Sequence, residues 1–439
     1  MRGRVRVTYL ETIMADKPRI TNATNITEGE TFKDVLPVVG NGRDDVIHAQ
    51  NIDLGAAHND EFNMGRGANQ LTVDHAIRGA TVRSGYINFS GTKIQAGVVT
   101  DSAIYGSYGN NQVAVTGEVY HSTIAMAEGN DQLRAGAITK STIDMSSGNN
   151  VVEAGVVGEH SSIVMGNGAD QFVAKRVEGG STVNLFGGGN QAVIGTLAAE
   201  SSVLTGDMMN TWDDHRSTVG SDEEHVQIGL MQGGGISTAQ GKIKQGEGAL
   251  VDVAAHDEHV LVGRLEGNAV VKIDGVDWND VTIGSSNGGS IIGRKNDTIT
   301  VQGTVDSTTT TMRNPATGKK EMLTNQLKIS LGGGINNVDL SSAAVKKNVN
   351  IVLSNVNDKE PDYDHASGLD TVNVNGRISD FTIAKSDDGS LLLSKKDGTS
   401  ITIHNLGIGD QIKFVSADRV ETQRVVDSRG HIETVAMER

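Results

Sequence analysis

The chain has 439 residues, with 54 acidic and 38 basic side chains, 55 glycines, 4 prolines, no cysteine and 3% aromatic residues. A formal charge of -16 disfavours binding to a phosphate backbone, which needs clustered Lys and Arg, so no nucleic-acid partner is expected. Without cysteine there are no disulfides and no thiolate metal sites; aromatics are too scarce for a large globular core, and no run approaches the ~20 apolar residues of a transmembrane helix.

In chain order, residues 1–33 read as a flexible leader. Arg2, Arg4 and Arg6 are basic, but the apolar stretch of a standard signal peptide does not follow them. A regular β-solenoid is expected over 34–200. Its first row, VVGNGRDDVIHAQNI, carries the column order Gly42, Asp44, Val46 and Ile52. The row GRGANQLTVDHAI follows with Gly67, Asn69, Leu71, Val73 and Ile77, and a degenerate row lies around YINFSGTKIQAGVV. From Ser102 to Glu200 five rows of about twenty residues repeat, the period of a solenoid or array. Ile104, Ile124, Ile143, Ile163 and Val183 form one column, and Gly109, Gly129, Gly148, Gly168 and Gly188 the next. Asn111, Asp131, Asn150, Asp170 and Asn190 follow two residues after each glycine. Short apolar alternations such as Val113 and Val115, or Phe172 and Ala174, read as half-buried strands of period two. The expectation is an all-β chain, a parallel β-solenoid or β-helix, with the isoleucines inward and the Asn/Asp column at one corner.

Residues 201–248 interrupt the pattern with a polar, irregular insertion. The solenoid resumes over 249–378 with loop insertions, and EEHVQIGLM and DEHVLVGRL look like copies of one unit. NDTITVQGTV, NNVDLSSAAV and LDTVNVNGRI share the Asn/Asp and apolar columns. TTTTMRNPATGKKEML reads as a hairpin or loop projecting from a corner, and NDKEPDYDHASG as a second loop. Residues 379–439 form a C-terminal β-hairpin module, with Asp388-Gly389 and Asp397-Gly398 as turn signals.

GNGRDDV (40–46) and GNGADQF (166–172) match G-x-G-x-D-x-apolar, and GRGANQL (65–71) does so with Asn for Asp. In these motifs, and in the stretch 369–406, the chain resembles the repeats-in-toxin, haemolysin-type calcium-binding family of bacterial secreted proteins. The resemblance implies calcium as cofactor, with Asp44 and Asp170 as ligands, and an extracellular or cell-surface location reached without a standard N-terminal signal peptide. The family's nonapeptides come in tandem; here the motif occurs once per coil. Few and weak calcium sites are therefore expected, with folding that proceeds without the ion.

Three other groups are candidate sites. Asp358, Glu360, Asp362 and Asp364 alternate in one loop, as calcium ligands do, although Tyr363 stands where a glycine is expected; a solvated acidic loop is the alternative. His215, His225, His256 and His259 lie among carboxylates and suit zinc or a similar metal; as Glu224-His225-Val226 and Glu258-His259-Val260 they also fit equivalent corner positions. Arg134, Lys140, Lys175 and Arg176 are placed together on one exposed face, as in enzymes that cleave acidic polysaccharides on parallel β-helices. No catalytic constellation is read from the chain. Two functions stand: a secreted or surface β-solenoid with a structural, adhesive or calcium-binding role, its partner an acidic polysaccharide or a cell surface, and a polysaccharide-acting lyase, hydrolase or epimerase.

Overall fold

The computed structural model describes residues 19–21, 31–33, 36–39, 44–54, 61–84, 90–206, 223–233, 236–239, 242–245, 249–254, 256–273, 278–293, 296–313, 320–353, 369–425 and 431–438. The chain is a parallel β-solenoid with hairpin strands at its C-terminal end. It divides into two compact units, Met1–Phe186 and Gly187–Arg439. Among the described residues no helix is long and apolar enough to cross a membrane.

In the first unit each regular coil is one long and one short strand. The long strands Asn69–Arg78, Thr92–Thr100, Gln112–Tyr120, Gln132–Thr139, Val151–Gly158 and Gln171–Val177 pair in parallel, each with the next of this series. The short strands Ala103–Tyr105, Thr123–Ala125, Thr142–Asp144, Ser162–Val164 and Thr182–Asn184 do the same. Ile104, Ile124, Ile143, Ile163 and Val183 are in register, and all are fully buried. On the long strands Val113, Leu133, Val152 and Phe172 form the opposing inner column. Alternation of period two sends every second side chain inward, and removing these apolar columns from water drives the stacking.

The rows are not of equal length, and β-bulges absorb the difference. Val115 pairs with Ala135 while Glu118 pairs with Ala137, so the Gln112–Tyr120 strand carries one extra residue. A bulge takes up one residue without disturbing the pairing on either side.

The first row departs from the expected column order. Ile47, Ala49 and Ile52 are inward and pair with Leu71, Val73 and Ile77, whereas Val46 is 41% exposed. The corner residue is accordingly Asp45, buried, and Asp44 is exposed. The motif match selects the first of two adjacent aspartates, but a one-residue slip turns every side chain of a strand to the other face. Burial of Ile47 and Ile52 decides the register.

In the second unit Gln191–Leu197, Glu223–Met231, His256–Ile273 and Asn279–Gly293 stack in parallel. The strands Asp297–Val301, Asn337–Leu340 and Thr371–Asn375 continue the stack, as their shared columns predict. Thr308–Arg313 and Lys320–Asn325 form the projecting antiparallel hairpin. Parallel stacking extends beyond Ile378. Ser400–His404 pairs with Val349–Val352, and Gln411–Val415 with Thr371–Asn375. The hairpin of Thr382–Lys385 and Leu391–Ser394, turning at Asp388-Gly389, is spliced into that coil and hides its period from the sequence. Two further antiparallel strands, Val420–Val425 and Ile432–Glu438, follow.

Candidate functional site

The corner before the long strands carries stacked columns of polar side chains. Its inner column is buried: Asp45, Asn69, Asn111, Asp131, Asn150 and Asp170 in the first unit, and Asn190, Asn279, Asp297, Asn336, Asp370 and Asp410 in the second. Along this column a side-chain oxygen accepts the backbone N–H of the corresponding position one coil earlier. The Asp45 N–H donates to Asn69 Oδ1 at 3.0 Å, that of Asn111 to Asp131 at 2.6 Å, that of Asp131 to Asn150 at 2.9 Å and that of Asn150 to Asp170 at 2.7 Å. In the second unit Asp297, Asn336 and Asp370 donate in the same way to Asn336, Asp370 and Asp410.

An outer ladder runs beside it in the opposite direction. The Asn130 N–H donates to Asn110 Oδ1 and the Asn149 N–H to Asn130 Oδ1, both at 2.9 Å; Ala169 donates to Asn149 at 3.0 Å. Asp44 belongs to this ladder, accepting the Ala68 N–H at 2.7 Å. The two proposed calcium aspartates thus occupy different positions. Asp170 is a buried inner rung, Asp44 an exposed outer one, and each already accepts a backbone amide.

A third ladder escapes the sequence reading although every row from Ser102 onward opens with its residue. Ser102, Ser122, Ser141, Ser161 and Ser181 are buried, and each hydroxyl oxygen accepts the N–H of the serine one coil earlier, or of Ala80 for Ser102, at 3.0–3.3 Å. A buried amide left without a partner costs ~1–3 kcal/mol, so these ladders hold the irregular backbone at the corners. Asn150→Ala is expected to destabilise by about that amount, because it removes the acceptor of the Asp131 N–H and the donor to the Ser146 and Met165 carbonyls. The loss should be the same in calcium and in chelator; urea denaturation in both buffers checks it.

The carboxylate rungs carry an electrostatic cost. Burial is the main cause that raises the Asp131 carboxyl from the ordinary 3.8 to about 6, against the lowering effect of the Asn111 hydrogen bonds. Burial likewise raises Asp410, opposed by the amides of Gly407 and Asp370.

The remaining candidates separate. His225 and His259 do hold equivalent positions: they pair in register, and their rings stack at 5.3 Å with an interplanar angle of 10°. His259 Nδ1 stands 3.7 Å from Asp280 Oδ2. Among the described residues no group of three or more His, Asp and Glu is placed to hold a metal ion. His215, the side chain of His256, and the acidic loop of Asp358, Glu360, Asp362 and Asp364 lie outside the described residues.

The four cations do not form one face. Arg134 and Lys175 point outward from long strands, and Lys140 sits at a corner with φ +49°. Three are paired with carboxylates: Arg134 with Glu153 at 3.1 Å, Lys140 with Glu159 at 2.9 Å, and Arg176 with Glu178. The expectation that the chain has no G-x-S-x-G stretch is corrected: Gly284-Ser285-Ser286-Asn287-Gly288 has that form. A nucleophile elbow needs a strand-to-helix turn with an exposed hydroxyl; Ser286 instead lies within a strand, 3% exposed, and donates to the Gly288 carbonyl at 2.6 Å.

Fold and corners together define a β-solenoid repeat protein whose polar columns bind coil to coil. No protein-family model matches the chain, and no curated protein matches it.

Proposed function

We propose that the chain is a secreted or surface-associated β-solenoid with a structural and adhesive role. The observation that supports this reading is the direction of the corner side chains: the Asn, Asp and Ser columns face along the stack and are used in coil-to-coil hydrogen bonds. Residues spent this way build a long repetitive surface. Calcium has a small part in this reading, since Asp44 and Asp170 already have amide partners and one carboxylate supplies only part of a shell of 6–8 oxygens at about 2.3–2.6 Å. Circular dichroism in chelator should show a β-rich spectrum that added calcium leaves unchanged. A chain disordered in chelator and β-rich only with calcium would refute it.

An acidic polysaccharide fits as the partner at one place. On the outer face of the long strands a shallow depression is lined by Lys93, Gln95, Gln112, Ala114, Gln132 and Arg134. Ala114 stands in register between Gln95 and Arg134, so the small side chain leaves the gap. Lys93, and Arg134 once it exchanges its exposed Glu153 partner for the ligand, suit a carboxylated sugar among these amides; none of the lining residues is a carboxylate to act as acid, base or nucleophile, so binding is favoured there over cleavage. Lys93→Glu with Arg134→Glu should weaken retention on uronic-acid polysaccharides at least tenfold, read by glycan-array binding. Undiminished retention, or release of shortened or unsaturated sugars by the wild type, would favour the enzymatic alternative or another face.

A further inference from the structure

The inner rungs of the corner are of two chemical kinds at one position. In four of the Asn rungs the side-chain N–H reaches back to a carbonyl of its own turn. Asn69 Nδ2 donates to Gly65 at 3.1 Å, Asn111 Nδ2 to Ser107 at 2.7 Å, Asn150 Nδ2 to Ser146 at 3.3 Å, and Asn336 Nδ2 to Gly332 at 3.0 Å. Each acceptor lies four residues before the rung. The position therefore asks for one acceptor atom, aimed at the preceding coil, and one donor atom, aimed at the turn.

Asp131 stands in the same place between Asn111 and Asn150. Its Oδ1 does what an Asn oxygen does, accepting the Asn111 N–H at 2.6 Å and Asn111 Nδ2 at 2.9 Å. Its Oδ2 takes the place of the Asn amide nitrogen, is buried, and has no hydrogen-bond partner. An ionised carboxylate is acceptor-only, whereas a carboxylic acid carries one O–H donor. We propose that Asp131 is a proton-binding site: it occupies the corner as the neutral acid, its O–H donating to the turn carbonyl of Ala127, and so the coil stack tightens as the surroundings become mildly acidic.

The electrostatic surroundings agree. Both neighbouring rungs are neutral amides. Of the titratable groups on the three turns and adjoining strands, Tyr108, Glu128, Asp144 and Arg134 are exposed and Tyr105, Glu118, Tyr120 and Glu153 half-buried; Arg134 is paired with Glu153 and Glu118 accepts from Thr139. Burial alone raises the Asp131 carboxyl, to about 6, and no charged group contributes. With a folded value above the unfolded one, the extra stability is fully present below the unfolded pKa of about 4 and is lost as pH rises through about 6.

The test compares thermal and urea unfolding of the wild type and Asp131→Asn from pH 4.5 to 8. Asn is the residue of the flanking rungs, so it supplies donor and acceptor at every pH. The variant is expected to be the more stable at pH 7.5, by up to about a hundredfold in the unfolding constant, and the two proteins should converge towards pH 4.5. Infrared difference spectra at pH 5 should show a buried carboxylic-acid C=O band that the variant lacks. Parallel pH profiles without that band would overturn the proposal. So would a variant that is less stable at pH 7.5 or fails to fold, since the carboxylate itself would then be what the corner requires.

Discussion

Gly148→Ala is expected to cost ~3–5 kcal/mol, from backbone strain and overpacking together. Gly148 has φ +129°, a region that side-chain-bearing residues rarely enter, and a Cβ there would stand 2.0 Å from the Gly129 carbonyl oxygen. The obstacle is backbone and cannot rotate away. Nor can the turns separate, because the Gly129 N–H is bonded to the Ser147 carbonyl at 3.0 Å and the Gly148 N–H to that of Asn167 at 2.9 Å. Gly168 repeats the arrangement one coil on, with φ +141° and 2.2 Å to the Gly148 oxygen. The glycine column is thus a stacking requirement as much as a turn requirement. Urea denaturation of the purified variant measures it; a loss under about 1 kcal/mol, the scale of ordinary surface substitutions, would show that the turns can spread.

Phe172→Ala is expected to cost ~3–5 kcal/mol, the range for emptying an aromatic site in a packed core. Phe172 is fully buried, one of the two largest fully buried side chains among the described residues, and paired in register with Val152. A coil of two strands has little material with which to collapse around the hole. Because each coil contacts only its neighbours, the damage should stay local. Limited proteolysis should then cut first within the coils on either side of residue 172 while the rest of the chain resists. Phe172→Val should recover much of the loss, since valine already fills this column in the preceding coil; equal losses for the two variants would mean that cavity size is not the cause.

The chemistry at the corners follows from the same stacking. A hydrogen-bond ladder built from Asn alone would be neutral throughout. Interleaved aspartates place acceptor-only groups in positions where the repeat offers a carbonyl, and this makes Asp131 and Asp410 sensitive to burial.

The coil period, the inward column of Ile104, Ile124, Ile143, Ile163 and Val183, the corner position of Asn111 to Asp170, and a hairpin or loop over 308–323 were all legible in the chain. Each depends on local alternation or on recurrence at a fixed spacing, and a sequence carries both directly. Other features were decided only by tertiary packing. The choice of Asp45 over Asp44 as the buried rung follows from which neighbours, Ile47 and Ile52, are removed from water, and the two aspartates look alike to a motif. The coil that closes with Ser400–His404 and Gln411–Val415 was hidden because a hairpin is inserted into it, although Asp410 still reaches the Asp370 amide at 3.1 Å. The separation of Lys140 from Arg134 and their pairing with Glu159 and Glu153 depend on neighbours about twenty residues away in sequence but one coil away in space. The state of the Asp131 carboxyl depends on burial and on the partner facing each oxygen, and those are set only when one coil settles on the next.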